Sequence, residues 1–159
     1  MKHSMTTCAI ALAMMFSTTT AFAQQPPPYG KGLNLEMARK CIAAAEAEAK
    51  KNGWLMAFSV VDDTGHLMAM ARMDNTQLAS IRISFEKARA DNNFRRPTKT
   101  FQDRAATDTA VLGLPGVITS EGGVPLVMDG KIVGAIGASG GTSQQDGVAA
   151  QACVAGFGK

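Results

Sequence analysis

Two turn signals, each lying between β-prone apolar runs, constrain the fold of this chain more than any other feature. An Asp-Gly pair at residues 129–130 interrupts the apolar stretch over residues 124–138. Asp-Gly between apolar runs is the strongest short-range signal for a β-hairpin. The sequence Asp-Asp-Thr-Gly at residues 62–65 divides residues 54–72 in the same way. We therefore expect two antiparallel hairpins.

The segments predicted to be helical alternate with these hairpins. Favourable capping residues predict a helix over residues 35–52, and the spacing of apolar residues predicts a second helix over residues 76–92. Shorter helices are predicted over residues 98–113 and 144–156. The order lacks a strand–helix–strand rhythm, which predicts an α+β fold with a mainly antiparallel sheet.

Residues 1–23 have the pattern of a signal peptide. A short basic start precedes an apolar run, and Ala21-Phe22-Ala23 has the small-x-small pattern of a cleavage site. We expect cleavage after Ala23, a Pro/Gly-rich extended or mobile lead-in over residues 24–32, and one folded domain over residues 33–159. No stretch approaches the roughly 20 apolar residues of a membrane-spanning helix. The mature protein is therefore expected in the periplasm or secreted.

Composition argues against a nucleic-acid partner. Aromatic residues make up only 6% of the chain and the formal net charge is +3, too little for stacking platforms or a basic footprint. Basic residues are instead concentrated between residues 82 and 104. Such a local excess favours an anionic ligand, whereas pairing on a solvated helix face is the alternative explanation.

Removal of the leader leaves two cysteines, Cys41 and Cys153. An even number of cysteines in an exported chain is compatible with a disulfide. The spacing alone does not distinguish a bridge from two free thiols.

Two short motifs suggest chemistry that the rest of the sequence does not complete. Residues 137–141 match G-x-S-x-G around Ser139, but a nucleophile of that type needs a histidine later in the chain. The only histidine after the leader is His66. His66, Met68 and Met70 alternate on one predicted strand, and imidazole with thioether ligands selects Cu(I). Methionines on a strand more commonly fill a core.

Several segments, taken in order, resemble the GlcG/HbpS-like family of haem-binding proteins, also described as a haem-degrading domain family and related to the C-terminal domain of some corrinoid adenosyltransferases. The segments are LNLEMA at residues 33–38, VVDDTGHL at 60–67, ARMD at 71–74, EKAR at 86–89, GGVPL at 122–126, GKIVGAIGASGG at 130–141 and QD at 145–146. The resemblance implies a profilin-like fold with a five-stranded antiparallel sheet flanked by helices. It also implies self-assembly, from dimers to octamers, and neighbouring first and last helices that bring Cys41 and Cys153 within bridging distance.

The resemblance further implies haem binding at or near a subunit interface. Family members hold the iron through a histidine or a threonine, which implies Thr119 or His66 as the axial contact here. A porphyrin also needs an apolar slot with basic groups for its propionates. The basic candidates are Arg72, Lys87, Arg95 and Arg96.

Three functional hypotheses follow. The first is an exported haem-binding protein that sequesters or transfers haem; it is a binding protein more than an enzyme, because the sequence contains no reductant or cofactor motif for turnover. The second is a small-molecule enzyme or accessory protein acting on organic acids in a catabolic pathway, through Arg72, Lys87 and Ser139. The third is a periplasmic Cu(I)-binding protein that uses His66, Met68 and Met70.

Overall fold

The computed structural model describes residues 25–157, so the predicted signal peptide over residues 1–23 lies outside the described residues. The elements in this range are α1 (Leu35–Lys51), β1 (Ala57–Asp62), β2 (Leu67–Arg72), α2 (Ala79–Phe94), α3 (Thr98–Ala105), a 3-10 helix (Thr109–Gly113), β3 (Gly123–Met128), β4 (Lys131–Ser139) and α4 (Ser143–Gly156). No helix within the described range is both long and apolar enough to cross a membrane.

The four strands form one antiparallel sheet in the order β2-β1-β4-β3. Both predicted hairpins are present, as β1–β2 and β3–β4. The two hairpins meet along β1 and β4, where Ala57 pairs with Ser139 and Asp62 pairs with Gly134. The predicted α+β class with an antiparallel sheet is therefore confirmed.

The implied fifth strand is not found among residues 25–157. The lead-in pairs with the sheet at one point only, where Tyr29 forms a single parallel bridge with Ile132. The Gly30 N–H donates to the Ile132 carbonyl at 2.7 Å, and the Ile132 N–H donates to the Pro28 carbonyl at 2.9 Å. The prolines at residues 26–28 carry no N–H, so this segment cannot form a regular ladder. The lead-in is nevertheless docked on β4 rather than free.

The helices begin and end largely where local signals predict. The Asn34 side chain accepts a hydrogen bond from the Met37 backbone N–H, in the first turn of α1, at 2.9 Å, which satisfies an otherwise unpaired donor. The segment predicted as one helix over residues 98–113 is divided into α3 and the 3-10 helix. The division occurs because Asp108 accepts from the Ala110 N–H and caps a separate turn.

Helices α1 and α4 pack side by side on one face of the sheet. Small residues on both helices, such as Ala45 and Ala149, are fully buried and allow close approach. A disulfide joins Cys41 of α1 to Cys153 of α4, which is the bridge that the resemblance implied. The strand side chains buried against this layer include Phe58, Val60, Leu126 and Ile136.

Helix α2 covers the opposite face with different chemistry. Ser59 and Ser84 place their hydroxyl oxygens 2.8 Å apart, and the Ser139 hydroxyl donates to the Ser80 hydroxyl at 3.3 Å. A Cβ added at Gly137 would collide with the carbonyl oxygen of Ser84. The backbone of α2 therefore lies very close to the sheet, because the residues between them are small.

Candidate functional site

A groove of about 520 Å³ lies where the lead-in crosses the turn between α2 and α3. Its lining residues are Gln25, Pro26, Pro27, Arg95, Arg96, Pro97, Thr100 and Pro125. The four prolines form apolar walls and the two guanidinium groups carry positive charge. We call this site the arginine groove. Its volume lies within the range of about 300–1,000 Å³ that is usual for small-molecule sites.

The end of α2 places the two arginines in this groove. Arg95 adopts the left-handed conformation, with φ of 55°, which usually belongs to glycine at a helix end. The Arg96 N–H then donates to the Asp91 carbonyl at 3.3 Å and closes the helix. Pro97 follows, and its ring cannot continue α2. The chain therefore reverses here and presents Arg95 and Arg96 towards the lead-in.

Both guanidinium groups retain donors for a ligand. The Arg95 group lies over the Tyr29 ring, 5.6 Å from its centroid, and its Nη1 donates to the Pro27 carbonyl at 3.5 Å. Arg96 Nε donates to the Phe94 carbonyl at 3.1 Å. A guanidinium carries five N–H donors, and neither group forms an ion pair with a carboxylate in the part of the chain that is described. The groove is therefore suited to a carboxylate or another anion.

A smaller cavity of about 200 Å³ adjoins the arginine groove, shares Pro97 and Thr100 with it, and extends to Glu121. Thr119, one of the two predicted iron contacts, is half-buried in the same loop as Glu121. Thr119 lines neither cavity. Its role as an axial contact stays a prediction.

Lys87, a predicted propionate partner, does not face the groove. Its side chain is 1% exposed, and its ammonium donates to Asp146 Oδ2 at 2.7 Å and to the Glu121 carbonyl at 2.6 Å. A Cβ at Gly122 would lie 2.9 Å from the Lys87 Nζ atom. The glycine leaves a path along which the side chain crosses from α2 to α4, so the ammonium is used inside the protein and anchors the Thr119 loop.

Asp146 is a residue that sequence reasoning missed. Burial raises the pKa of its carboxyl group, and the hydrogen bond from Lys87 opposes this effect. The Gly141 N–H donates to Asp146 Oδ1 at 2.9 Å, so both carboxylate oxygens are hydrogen-bonded. The sequence gives no signal of the pair, because 59 positions separate its two members.

Asp91 is a second buried carboxyl group in α2, and its surroundings differ. It has no exposed surface, and neither of its oxygens has a hydrogen-bond partner among residues 25–157. Burial alone raises its pKa well above the usual value. Burial thus disfavours the ionised form of Asp91 relative to an exposed aspartate.

His66, the other predicted iron contact, is exposed at the β1–β2 turn, where its Nδ1 lies 2.7 Å from the Thr64 hydroxyl. Its backbone N–H donates to Asp62 Oδ1 at 2.9 Å. Burial opposes ionisation of Asp62, but hydrogen bonds from Thr64 and His66 outweigh burial and lower the pKa. Arg72 is exposed at the other end of the same hairpin. Neither His66 nor Arg72 lines the arginine groove.

The residues proposed for copper binding and for organic-acid chemistry are only partly brought together. Met68 and Met70 line a separate groove of about 300 Å³ between β2 and α1, which His66 does not line. Across residues 25–157, no three His, Cys, Asp or Glu side chains come together as a metal site. Ser139 is 4% exposed and is hydrogen-bonded to Ser80. The copper and organic-acid roles of these residues stay predictions.

The antiparallel sheet with helices on both faces, together with the arginine groove, defines a small α+β protein with a cavity suited to an anionic molecule. The family model described as "Haem degrading protein HbpS-like" matches residues 33–155. The chain belongs to this HbpS-like family.

Individual relatives agree with this assignment. Protein GlcG of Escherichia coli K12 is 44% identical over 108 residues, which cover 67% of this chain and 81% of that protein. The structure of a doubly substituted Streptomyces reticuli HbpS is 27% identical, with a TM-score of 0.75, and the match covers 94% of this chain and 100% of that chain. A PduOC:heme complex is 25% identical, with a TM-score of 0.72, and the match covers 80% of this chain and 96% of that chain. The resemblance found in the sequence is therefore confirmed.

Proposed function

We propose that this protein binds haem in the arginine groove. The observation that carries the proposal is the placement of Arg95 and Arg96, with donors still available, beside four prolines in a groove of about 520 Å³. Membership of a family described as haem degrading and the likeness to a protein solved with heme support the choice of ligand.

The groove would contact the edge of the haem, where the propionates lie. Arg95 and Arg96 would hold the two propionates by charge-assisted hydrogen bonds, and the proline walls would cover part of the apolar macrocycle. Haem supplies a redox-active iron centre when bound. No histidine, methionine or cysteine is among the residues that line the groove, so the lining offers partners for the propionates but none of the usual iron ligands. Thr119, in the adjoining loop, and His66 are the proposed iron contacts, and each would have to reach the iron from beyond the present lining.

Titration of the mature protein, residues 24–159, with hemin tests this proposal. We expect a shift of the Soret band that saturates. Arg95→Ala combined with Arg96→Ala should raise the dissociation constant about a hundredfold or more, because each lost charged hydrogen bond is worth about 1.5–3 kcal/mol. Arg82→Ala is the matched control, since Arg82 is an exposed arginine of α2 outside the groove. An absent Soret shift would exclude haem binding. A dissociation constant unchanged in the double arginine variant would exclude the groove.

The axial contact requires a separate measurement. Thr119→Ala and His66→Ala are compared individually and together by absorption spectroscopy of the ferric complex. If either residue contacts the iron, its replacement changes the charge-transfer bands, which report the axial ligand. Spectra unchanged in the double variant would remove both residues from the iron site.

We also propose that the protein is exported before it binds haem and that it sequesters or transfers haem outside the cytoplasm. The signal-peptide pattern over residues 1–23 and the Cys41–Cys153 disulfide support this location, because disulfides persist in oxidising compartments. Cell fractionation followed by N-terminal sequencing tests it, with an expected start at Gln24. Recovery of the uncleaved chain from the cytoplasm would contradict export.

Self-association belongs to the same proposal. The resemblance to the family implies assemblies from dimers to octamers. Sedimentation analysis of the mature protein is expected to show a dimer or a larger oligomer up to an octamer. A monomer at micromolar concentration would contradict it.

One observation favours a second candidate, binding of a small organic acid. The groove offers two guanidinium groups without an iron-ligating side chain in its lining, which suits a dicarboxylate as well as it suits two propionates. A thermal-shift panel of carboxylates separates the candidates, since a ligand that binds only the native state raises its melting temperature. Stabilisation by a dicarboxylate, without a hemin-induced Soret shift, would favour the organic acid.

A further inference from the structure

We propose that Tyr29 is a positioning residue for the arginine groove, because it holds Arg95 in the orientation that meets a ligand carboxylate. The proposal rests on the proposed function, since it concerns the same groove. It assigns a function to the lead-in, whose proline and glycine content alone predicts only an extended or mobile segment.

The first support is the way in which Tyr29 is fixed. Its hydroxyl donates to the Asn92 carbonyl at 2.7 Å, and its backbone takes part in the bridge to Ile132. A Cβ at Gly30 would lie 2.8 Å from the Lys131 Cβ, so the lead-in runs directly against β4 at this point. The ring is therefore attached both to the end of α2 and to the sheet, although Tyr29 is 44% exposed.

The second support is the contact between the ring and Arg95. The guanidinium lies 5.6 Å from the ring centroid, within the distance of an attractive cation–π interaction. The same guanidinium reaches the Pro27 carbonyl on the lead-in. Two contacts from one segment thus restrict a long side chain that otherwise has many rotamers.

The third support is the backbone of Arg95. A left-handed conformation is unfavourable for a residue with a side chain, and Arg95 adopts it with φ of 55°. This conformation directs the chain into the reversal at Pro97. The ring of Tyr29 then lies on one side of the guanidinium, whose remaining N–H donors are left for the groove. An arginine oriented before the ligand arrives loses less conformational entropy on binding.

The protein contains a matched control for this contact. Arg89, also in α2, lies 5.5 Å from the centroid of the Phe85 ring. Neither Arg89 nor Phe85 lines the arginine groove. Phe85→Leu therefore removes a comparable cation–π contact from the same helix without altering the groove.

Two measurements on the mature protein test the proposal. The first is the NMR signal of the Arg95 side-chain Nε–H, which needs no ligand. We expect it to be displaced by the Tyr29 ring in the wild type and in Tyr29→Phe, and to move to the position of an exposed arginine in Tyr29→Leu. Phe85→Leu should leave it unchanged. An Arg95 signal that is the same in the wild type and Tyr29→Leu would overturn the proposal, whether or not hemin binds.

The second measurement is a double-mutant cycle with hemin and with hemin dimethyl ester, whose propionates are blocked. Tyr29→Leu should weaken hemin binding about threefold, the usual size of an exposed cation–π contribution, and should leave binding of the ester unchanged. Tyr29→Leu combined with Arg95→Ala should bind hemin no more weakly than Arg95→Ala alone. Additive losses, or an equal loss with the ester, would overturn the proposal. Failure of the wild type to bind hemin would instead contradict the proposed function, and the NMR result would still decide the role of Tyr29.

Discussion

The two helical layers cover the same sheet by different means. The layer of α1 and α4 buries apolar side chains and is joined by the Cys41–Cys153 disulfide. The layer of α2 buries Lys87, Asp91 and two serines of the helix. Buried polar groups are costly unless they are hydrogen-bonded, so the second layer depends on specific partners where the first depends on packing. Lys87 and the two serines have such partners, whereas the Asp91 carboxyl group has none among residues 25–157.

The two layers are also expected to differ in how mutations in them affect stability and ligand binding. The arginine groove lies at the end of α2, in the polar layer, and the residues that form it come from segments far apart in the chain. The loop with Thr119 is held by Lys87 through the Glu121 carbonyl. A substitution in the polar layer is therefore expected to alter ligand binding in the groove. A substitution in the apolar layer should lower the unfolding free energy with little effect on ligand binding.

The largest expected effect tests the apolar layer. Replacing Cys41 and Cys153 by alanine opens a loop of 112 positions and should lower the unfolding free energy by about 4–5 kcal/mol on the chain-entropy account. Urea denaturation of the oxidised wild type and the variant measures this loss. Reduction of the wild type should reproduce it, and equal midpoints would contradict a stabilising bridge.

The next effect tests the polar layer. Lys87→Met leaves the buried Asp146 carboxylate without its cation and should cost about 3 kcal/mol, the usual range for breaking a buried ion pair. Combining it with Asp146→Asn should recover part of the loss, because no unpaired charge then remains. Thermal and urea denaturation of the three proteins measure it. A double variant less stable than Lys87→Met would show that the pair is not the source of the effect.

A smaller effect tests the close approach of α2. Gly137→Ala places a methyl group against the Ser84 carbonyl and should destabilise the fold by about 2 kcal/mol, as is common for overpacking. Gly113→Ala is the control, since a Cβ there has no atom within 4 Å and its φ is not left-handed. We expect Gly113→Ala to be neutral or slightly stabilising, because it restricts only the unfolded chain. Similar losses at both positions would contradict the contact with Ser84 as the cause.

The last prediction concerns the pH dependence of stability. The difference in unfolding free energy between the wild type and Asp91→Asn is expected to be smallest in acid. Burial raises the pKa of Asp91 above its usual value of 3.8. The contribution of Asp91 to the unfolding free energy is therefore fully present below pH 3.8 and falls as the pH rises towards the folded-state pKa. The Asp91→Asn variant cannot ionise at this position, so its unfolding free energy should not show this fall. Urea denaturation across a pH series should therefore give similar stabilities near pH 3.8 and a widening advantage for the variant above it. Asp146, whose pKa is also raised, is common to both proteins. Parallel profiles would contradict the account.

Local signals in the sequence predicted most of the fold. The two hairpins and α1 were found from turn and capping residues, which act within a few positions. The division of residues 98–113 was missed, because the helical pattern concealed the separate cap at Asp108. The fifth strand was expected from the resemblance and is not found in the range described, where the lead-in forms only a single bridge to β4.

The candidate site was less accessible to sequence reasoning. Local charge identified Arg95 and Arg96, and both line the groove beside the lead-in. The structure leaves Arg72 and His66 at opposite ends of another hairpin, and it buries Lys87 against Asp146. The contact between Arg95 and the lead-in spans 68 positions, and nothing in the spacing of the residues indicates it. Such contacts arise only once the sheet and α2 have assembled.

The disulfide between the first and last helices gives the molecule a closed covalent topology, since residues 41–153 form a ring. A protease that cuts the exposed stretch over residues 112–116 would therefore release no fragment. The two pieces would migrate as one species on a non-reducing gel and separate only after the bridge is reduced.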